Sequence, residues 1–344
     1  MMRGVALQVS QILQQFLPNG MWINPKRRAI ALLAFTCALC VVFSCRQSPA
    51  WSTTPRLSPR EKRAERSSAW QKSRVLCWIT TSAENHNARA QHVKNTWAKH
   101  CQHHVFFSTR QDEALGSLKL EVPDGYKNLW GKTKAALVHL YHHHLHHADW
   151  FLKVDDDTFV IVENLQHMLQ LYDPDFPIYF GIKLKEPVTS QIFMSGGAGY
   201  VLSRAALQRV VEKGLTNSAV CTSGDRGKED VELGRCLEAV GVLAGDSRDH
   251  LGGNRFFPFT PGTLLMPDGV AVLGHTWFWT HVYYTTVQGP LCCSSTAVTI
   301  HYVKPEMMYT LYYLVYTLRL ARPQDLPPRL PPDIDSVPSQ VLEQ

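Results

Sequence analysis

Short apolar runs alternate along this chain with stretches of helical spacing. Arg74-Val-Leu-Cys-Trp-Ile-Thr80 is strand-like, His92 to His100 helical, and His104 to Ser108 strand-like again. A helix is predicted over Lys132 to His147, a strand over Trp150 to Val154, a helix over Asn164 to Tyr172 and a strand over Ile178 to Ile182. Ala198 to Leu202 reads as a strand that leads into a helix over Arg204 to Lys213. Strands and helices in alternation predict an α/β sheet with helices on both faces. No internal repeat interrupts the pattern.

One run departs from plain core patterning. Trp150-Phe-Leu-Lys-Val-Asp-Asp-Asp-Thr-Phe-Val160 passes from a continuous apolar strand into three adjacent carboxylates. Strand ends at the edge of an open α/β sheet are where such folds place ligands. Alternation along an extended backbone points Asp155 and Asp157 to one side and Asp156 to the other. Two carboxylates held together repel unless one is protonated or a cation bridges them. Hard oxygen ligands suit Mg²⁺, Ca²⁺ or Mn²⁺. A D-x-D at a strand end therefore suggests a metal that grips a nucleotide diphosphate, against the plainer reading of an acidic surface turn.

The flanks read differently. Ala29 to Cys45 carries no charge and follows Lys26-Arg27-Arg28. As a helix it spans roughly 25 Å, the short end for a membrane span. The basic flank keeps the N-terminus cytosolic. The expected order is a cytosolic tail over 1–28, a signal-anchor over 29–45, a stem over 46–73, a catalytic domain over 74–320 and a Pro-rich tail over 321–344. A cleaved signal peptide is the rival, but no small-x-small site follows the run. Val9, Ile12, Leu13, Phe16 and Leu17 keep amphipathic spacing ahead of the anchor.

At 344 residues, with 45% hydrophobic and 10% aromatic residues, the chain can bury a sizeable core. The net charge of +6 gathers in the N-terminal region and has no nucleic-acid motif beside it, so no nucleic-acid partner is expected. Outside the anchor six cysteines remain: Cys77, Cys101, Cys221, Cys236, Cys292 and Cys293. An even number in an oxidising compartment suggests disulfides. No N-x-S/T sequon occurs, so N-glycans are not expected. The histidines at 139, 142, 143, 144, 146 and 147 invite a metal, yet a solvated helix face explains them as simply. Ser195-Gly-Gly-Ala-Gly199 lacks a phosphate-loop lysine and reads as a tight turn with close backbone approach.

Several separated stretches resemble one family: the core 1 β1,3-galactosyltransferases, within the inverting β3-glycosyltransferases that include Fringe. They are Asp149 to Thr158, Met194-Ser-Gly-Gly-Ala-Gly-Tyr-Val-Leu-Ser203 and Glu229-Asp-Val-Glu-Leu-Gly-Arg-Cys236, with Ala244-Gly-Asp-Ser-Arg-Asp249, Gly289-Pro-Leu-Cys-Cys-Ser294 and His301-Tyr-Val303. The resemblance covers roughly residues 75–319. It implies a GT-A fold, Rossmann-like, in a single lumenal domain of a type II Golgi membrane protein. It implies Mn²⁺, UDP-galactose as donor and GalNAc on Ser or Thr of glycoproteins as acceptor. A homodimer and a dedicated folding chaperone are implied as well. Two rivals stay open: a non-catalytic relative of chaperone type, which lacks the acidic triplet, and a Fringe-like enzyme of other sugar specificity.

By the same resemblance Asp157 and His301 ligate the metal, and Asp155 touches the metal shell or the ribose. Asp230 is the base, and Glu229 contacts or orients the acceptor. Helix capping would explain both acids equally well. Thr80, Lys132, Lys134, Gly196, Gly197 and Tyr302 are expected at the donor. Trp277 and Tyr283, from the aromatic run 277–284, are expected at the acceptor sugar, because aromatic faces stack on sugars. The pairs Cys77–Cys101, Cys221–Cys236 and Cys292–Cys293 are expected as disulfides. Asn217 to Lys228 departs from the family picture and bears on the acceptor loop, and the long segment ahead of the anchor also departs from it.

Overall fold

The computed structural model describes residues 73–320. The expected tail, the anchor and nearly all of the stem lie outside the described residues, as does the Pro-rich tail. No helix among the described residues is long and apolar enough to cross a membrane.

The architecture is mixed α/β around a central sheet. Its strands are β1 (Val75–Thr80), β2 (His103–Ser108), β3 (Ser117–Lys119), β4 (Trp150–Asp155), β6 (Ile178–Gly181), β9 (Tyr200–Ser203) and β10 (Leu243–Ala244). They lie in the order β10-β6-β9-β4-β1-β2-β3. β1 runs parallel to both β2 and β4, whereas β9 runs antiparallel to β4 and β6. The chain leaves β1 to build β2 and β3 on one side, then returns to lay β4 on the other. That reversal opens a crevice at the carboxyl ends of β1 and β4, where open α/β sheets take ligands. The register places Thr80 directly beside Asp155 there.

Both faces of β1 and β4 are covered, which is why their sequences are near-continuously apolar. Val75, Cys77, Ile79, Trp150, Leu152 and Val154 face one core with Trp97, Phe106, Phe159 and Phe256. Leu76, Trp78 and Phe151 face the other, with Trp130, Leu137, Leu140, Leu233 and Leu237. Those last partners come from two helices, α2 (Leu129–His144) and α5 (Glu229–Ala239). Lys153 and Asp155 follow Phe151 on this second face by alternation.

A three-stranded sheet packs beyond the first core in the order β11-β12-β5, with β5 at Phe159–Val160, β11 at Phe256–Phe257 and β12 at Thr299–Ile300. β7 (Lys183–Lys185) and β8 (Ile192–Met194) form a small hairpin sheet. These strands are two or three residues long, too short for a periodicity to reveal them.

The larger predicted elements stand, with shifted ends. The helix expected from Lys132 starts at Leu129, one turn earlier, behind a 3₁₀ turn at Tyr126–Asn128. The helix expected over 204–213 is α4 (Arg204–Arg209) and then widens to a π-helical stretch at Val210–Leu215. Ser203 caps α4, its Oγ accepting the Ala206 N–H at 3.0 Å. All three expected disulfides are present: Cys77–Cys101, Cys221–Cys236 and Cys292–Cys293.

Trp130 is fully buried, and its indole N–H donates to the Thr222 carbonyl at 2.9 Å. It thus anchors the 222–228 loop, which borders the crevice, to the core. Trp130→Ala should lower stability by about 3–5 kcal/mol in urea unfolding. Leu171→Ala, at an exposed position, should stay within about 0.5 kcal/mol. Equal effects would show that the core is not organised around this face.

Candidate functional site

Lys153 organises the crevice. It is 3% exposed, on a strand face otherwise given to apolar packing. Its ammonium lies 2.8 Å from Asp155 Oδ1, donates to the Gly196 carbonyl at 3.1 Å and sits 3.9 Å from Glu229 Oε2. Burial works against its charge, but Asp155 and Glu229 more than offset this, and its pKa is raised. Burial likewise pushes Asp155 up, while Lys153 and a 2.7 Å hydrogen bond from Thr80 Oγ1 bring it net below the usual carboxylate range.

After Asp155 the chain turns, with the Thr158 N–H donating to the Asp155 carbonyl at 3.1 Å. Asp156 accepts from Thr81 Oγ1 at 2.7 Å, and its Oδ1 lies 3.6 Å from the Arg89 guanidinium that also holds Asp157. Burial, with the charges of Asp155 and Asp157, pushes it up to about 6 against the Thr81 hydrogen bond and Arg89. Asp157 swings back toward the crevice. Its Oδ1 lies 3.3 Å from His301 Nε2, and its Oδ2 accepts from Arg89 at 3.2 Å.

His301 follows β12, its backbone N–H held by the Phe257 carbonyl at 3.1 Å. Its Nδ1 faces the Pro258 carbonyl at 3.3 Å. That contact needs a proton on Nδ1 and leaves the Nε2 lone pair toward Asp157. A carbonyl behind the far nitrogen is a common support for a metal-ligating imidazole. Asp155, Asp157 and His301 each bring a donor atom within 4.8 Å of the others. Two carboxylates and one imidazole suit a divalent cation such as Mn²⁺ or Mg²⁺. The donor set fits the metal expected from sequence.

Asp230 lies across the loop 195–199, in the first turn of α5. Its Oδ2 accepts the Gly196 N–H at 3.1 Å and its Oδ1 the Val231 N–H at 3.0 Å. Burial raises its pKa, opposed by the Gly196 N–H and by Lys153. A carboxylate so tuned at a cleft wall is suited to general-base work. Glu229 is placed differently. It is 7% exposed, and its Oε1 accepts from Thr133 at 2.9 Å and Tyr200 at 2.7 Å. Burial raises its pKa too, against Lys153. Its Oε1 is engaged inside the fold, while its Oε2 faces the Gly196 loop 3.9 Å from Lys153, and Glu229 lines the cleft.

The glycines of the loop are required by contact. A Cβ on Gly197 would fall 2.1 Å from His301 Cε1, and one on Gly196 2.7 Å from Glu229 Oε2. Without side chains there, one loop touches His301 on one side and Asp230 on the other. The cleft around these groups measures about 1310 Å³ and is lined by Thr80, Lys132, Lys153, Gly196, Asp230 and Trp277 among others.

Residues 70–248 match the family model described as Fringe-like, and the chain is 43% identical over 252 residues to the Xenopus laevis protein "Glycoprotein-N-acetylgalactosamine 3-beta-galactosyltransferase 1". That alignment covers 72% of this chain and 68% of the relative. The chain belongs to the Fringe-like family. More distant similarity reaches a mouse "Beta-1,3-glucosyltransferase", 29% identical over 50% of this chain and 35% of that one. A human "Chondroitin sulfate synthase 3" is 28% identical over 47% and 20%.

Within this Fringe-like chain the remaining predicted residues divide. Thr80 and Lys132 line the cleft, though Thr80 is bound to Asp155, and Lys132 pairs with Asp124 and donates to the Thr81 carbonyl at 3.4 Å. Tyr302 lines it as well. It holds a left-handed φ of 58°, unusual for a bulky residue, and stacks its ring on His301 at 3.9 Å between centroids. Trp277 is 41% exposed and presents its ring to the cleft.

Two expectations are corrected. Lys134 is not at the donor side: it binds the carbonyls of Ser223 and Gly224, pairs with Asp225 at 3.2 Å and so fastens the 222–225 loop to α2. Helix periodicity turns it outward from Lys132. Tyr283 is not among the residues lining the cleft. It lies edge-on to Tyr284 over the Lys183 ammonium, beside the β7–β8 hairpin.

Sequence reasoning passed over Lys153 and Arg89. Lys153 was visible as a charge in an apolar strand two residues before Asp155, hence on its face. Arg89 carried no local signal. Lys153→Met should leave Asp155 and Glu229 as uncompensated buried acids and cost about 3–5 kcal/mol of stability. Adding Asp155→Asn should recover part of that loss in a denaturant-based double-mutant cycle. Strictly additive losses would mean that the two groups do not depend on each other.

Proposed function

We infer that this chain transfers galactose from UDP-galactose to O3 of an N-acetylgalactosamine carried on Ser or Thr, forming a β1,3 linkage with inversion. One observation carries the reaction type. An Asp155–Asp157–His301 donor set and a half-buried, hydrogen-bonded Asp230 line the same cleft, joined by one glycine loop. The sugar and acceptor follow from the 43% identity to the Xenopus relative of that name.

The mixed sheet, with its ligand crevice between β1 and β4, is assigned to the GT-A type. Mn²⁺ is the proposed cation, held by Asp157 and His301 with Asp155 beside them. Bound there, a divalent cation supplies Lewis-acid stabilisation of a diphosphate leaving group. The chain's own residues do the rest. Asp157 and His301 fix where the diphosphate end of the donor lies. Tyr302, stacked on His301, and the Gly196–Gly197 backbone shape the space beside it. Trp277 offers an aromatic face to the acceptor ring.

Asp230 takes the proton from the acceptor hydroxyl as that oxygen attacks the anomeric carbon from the side opposite the leaving diphosphate. Inversion in a single displacement needs no nucleophilic carboxylate on the protein. Glu229, the nearest other acid of α5, is committed to Thr133 and Tyr200 and has no such part to play. The reading extends to a single-pass type II Golgi membrane protein anchored by residues 29–45, working as a homodimer and folded with a dedicated chaperone.

The full chain, given UDP-galactose, Mn²⁺ and a GalNAc-bearing peptide, should form the galactosylated product, and Asp157→Ala should abolish it. Asp230→Asn should keep UDP binding and lose roughly 10²–10⁴-fold in kcat. The base acts only when deprotonated. Its raised pKa therefore places the acid limb of the kcat/KM profile above the ordinary aspartate value of about 4. Activity should fall as pH drops through that raised pKa. Product formation by Asp230→Asn at the wild-type rate, or transfer only to acceptors without GalNAc, would overturn the assignment.

A further inference from the structure

The far end of α2 carries chemistry that the cleft does not use. Lys132 and Thr133 stand at the helix end nearest the cleft, and His143 lies roughly 16 Å further along the axis. There His139 and His143 have ring centroids 4.4 Å apart, and His144 lies 5.8 Å from His139 and 6.5 Å from His143. The edge of the buried Phe107 ring fixes His139, at 5.4 Å between centroids.

We propose that His139, His143 and His144 form a second cation site, specific for a borderline transition metal of the zinc or copper class. Three imidazoles placed tetrahedrally on one zinc, each at a Zn–N distance of about 2 Å, keep their centroids about 5 Å apart. The observed spacings bracket that value. Residues i and i+4 share a helix face, so His139 and His143 form the preorganised pair. His144 completes the set by a side-chain rotation: among the described residues, the three donor atoms already within 4.8 Å of one another are those of Asp155, Asp157 and His301.

Electrostatics favour the same outcome. Burial, then His143 and His144, lower the pKa of His139. Burial, then His147, His143 and His103, lower that of His144. The C-terminal end of a sixteen-residue helix also favours positive charge. The donors are all imidazole nitrogens, which suit Zn²⁺ and Cu²⁺, in contrast to the oxygen-rich set in the cleft. The two sites thus sort cations by ligand chemistry.

The test is zinc uptake by the full chain, purified in detergent without a histidine tag and carrying Asp157→Ala to remove the cleft's ligand. Competition against a chromophoric chelator should show one Zn²⁺ per chain, released on acidification to about pH 5.5 as the imidazoles protonate. His143→Gln should weaken binding by roughly tenfold or more. His142→Gln should leave it within about twofold, since that ring packs edge-on against Tyr141. No uptake of zinc overturns the site. So does an equal loss from His142→Gln and His143→Gln, which would mean diffuse binding along the histidine tract. Neither result bears on galactose transfer, which is read separately.

Discussion

A single buried ammonium holds this cleft together. Lys153 lies among Asp155, Glu229 and, further off, Asp230, where each carboxylate alone would be costly to bury. Taking charges out of water costs several kcal/mol per ion, and only close pairing with further hydrogen bonds recovers it. Every part of that condition is met locally. Thr80 donates to Asp155, Tyr200 and Thr133 donate to Glu229, and the Gly196 carbonyl accepts the remaining reach of Lys153. The acids are therefore held by pairing and hydrogen bonds, and Asp155, the donor-set member beside the ammonium, cannot shift without disturbing it.

The coupling runs through the Gly196 peptide. Its carbonyl accepts from Lys153 and its N–H donates to Asp230. The next residue, Gly197, lies against the His301 ring so closely that a methyl group would overlap it. Asp155 and Asp157 come from the end of β4 and the turn after it, His301 from the segment after β12, and Asp230 from α5. These elements are far apart in sequence, and the loop is the shared surface that sets their mutual distance. Geometry of this kind matters because proton removal and leaving-group departure must meet at one carbon.

Much of this was legible beforehand, for physical reasons. The continuous apolar run into Asp155-Asp156-Asp157 marks a strand buried on both faces and ending at a ligand crevice. What stayed hidden was non-local. Arg89 reaches Asp157 from a π-helical turn with no motif around it. Glu229 stands next to Asp230 in a motif, yet a helix turns neighbours by about 100°, which buries one and opens the other. Lys134 and Tyr283 failed for the same reason: residue type suggested contact, and the direction of the side chain denied it. The strands of two or three residues that carry His301 have no periodicity to detect.

The division between Glu229 and Asp230 also explains why one acid suffices. A retaining route would ask for a second carboxylate free to bond the sugar, about 5 Å from the first. Here the adjacent acid has one oxygen held by Thr133 and Tyr200 and the other facing Lys153 at 3.9 Å. Asp155 is likewise bound to Thr80 and Lys153, and Asp156 to Thr81. Asp157 is turned to His301 and Arg89. Of Asp155, Asp156, Asp157, Glu229 and Asp230, Asp230 alone is held by backbone N–H groups, which position it without supplying a mobile counter-charge. Burial raises its pKa against those N–H groups, and that leaves it fit to accept a proton.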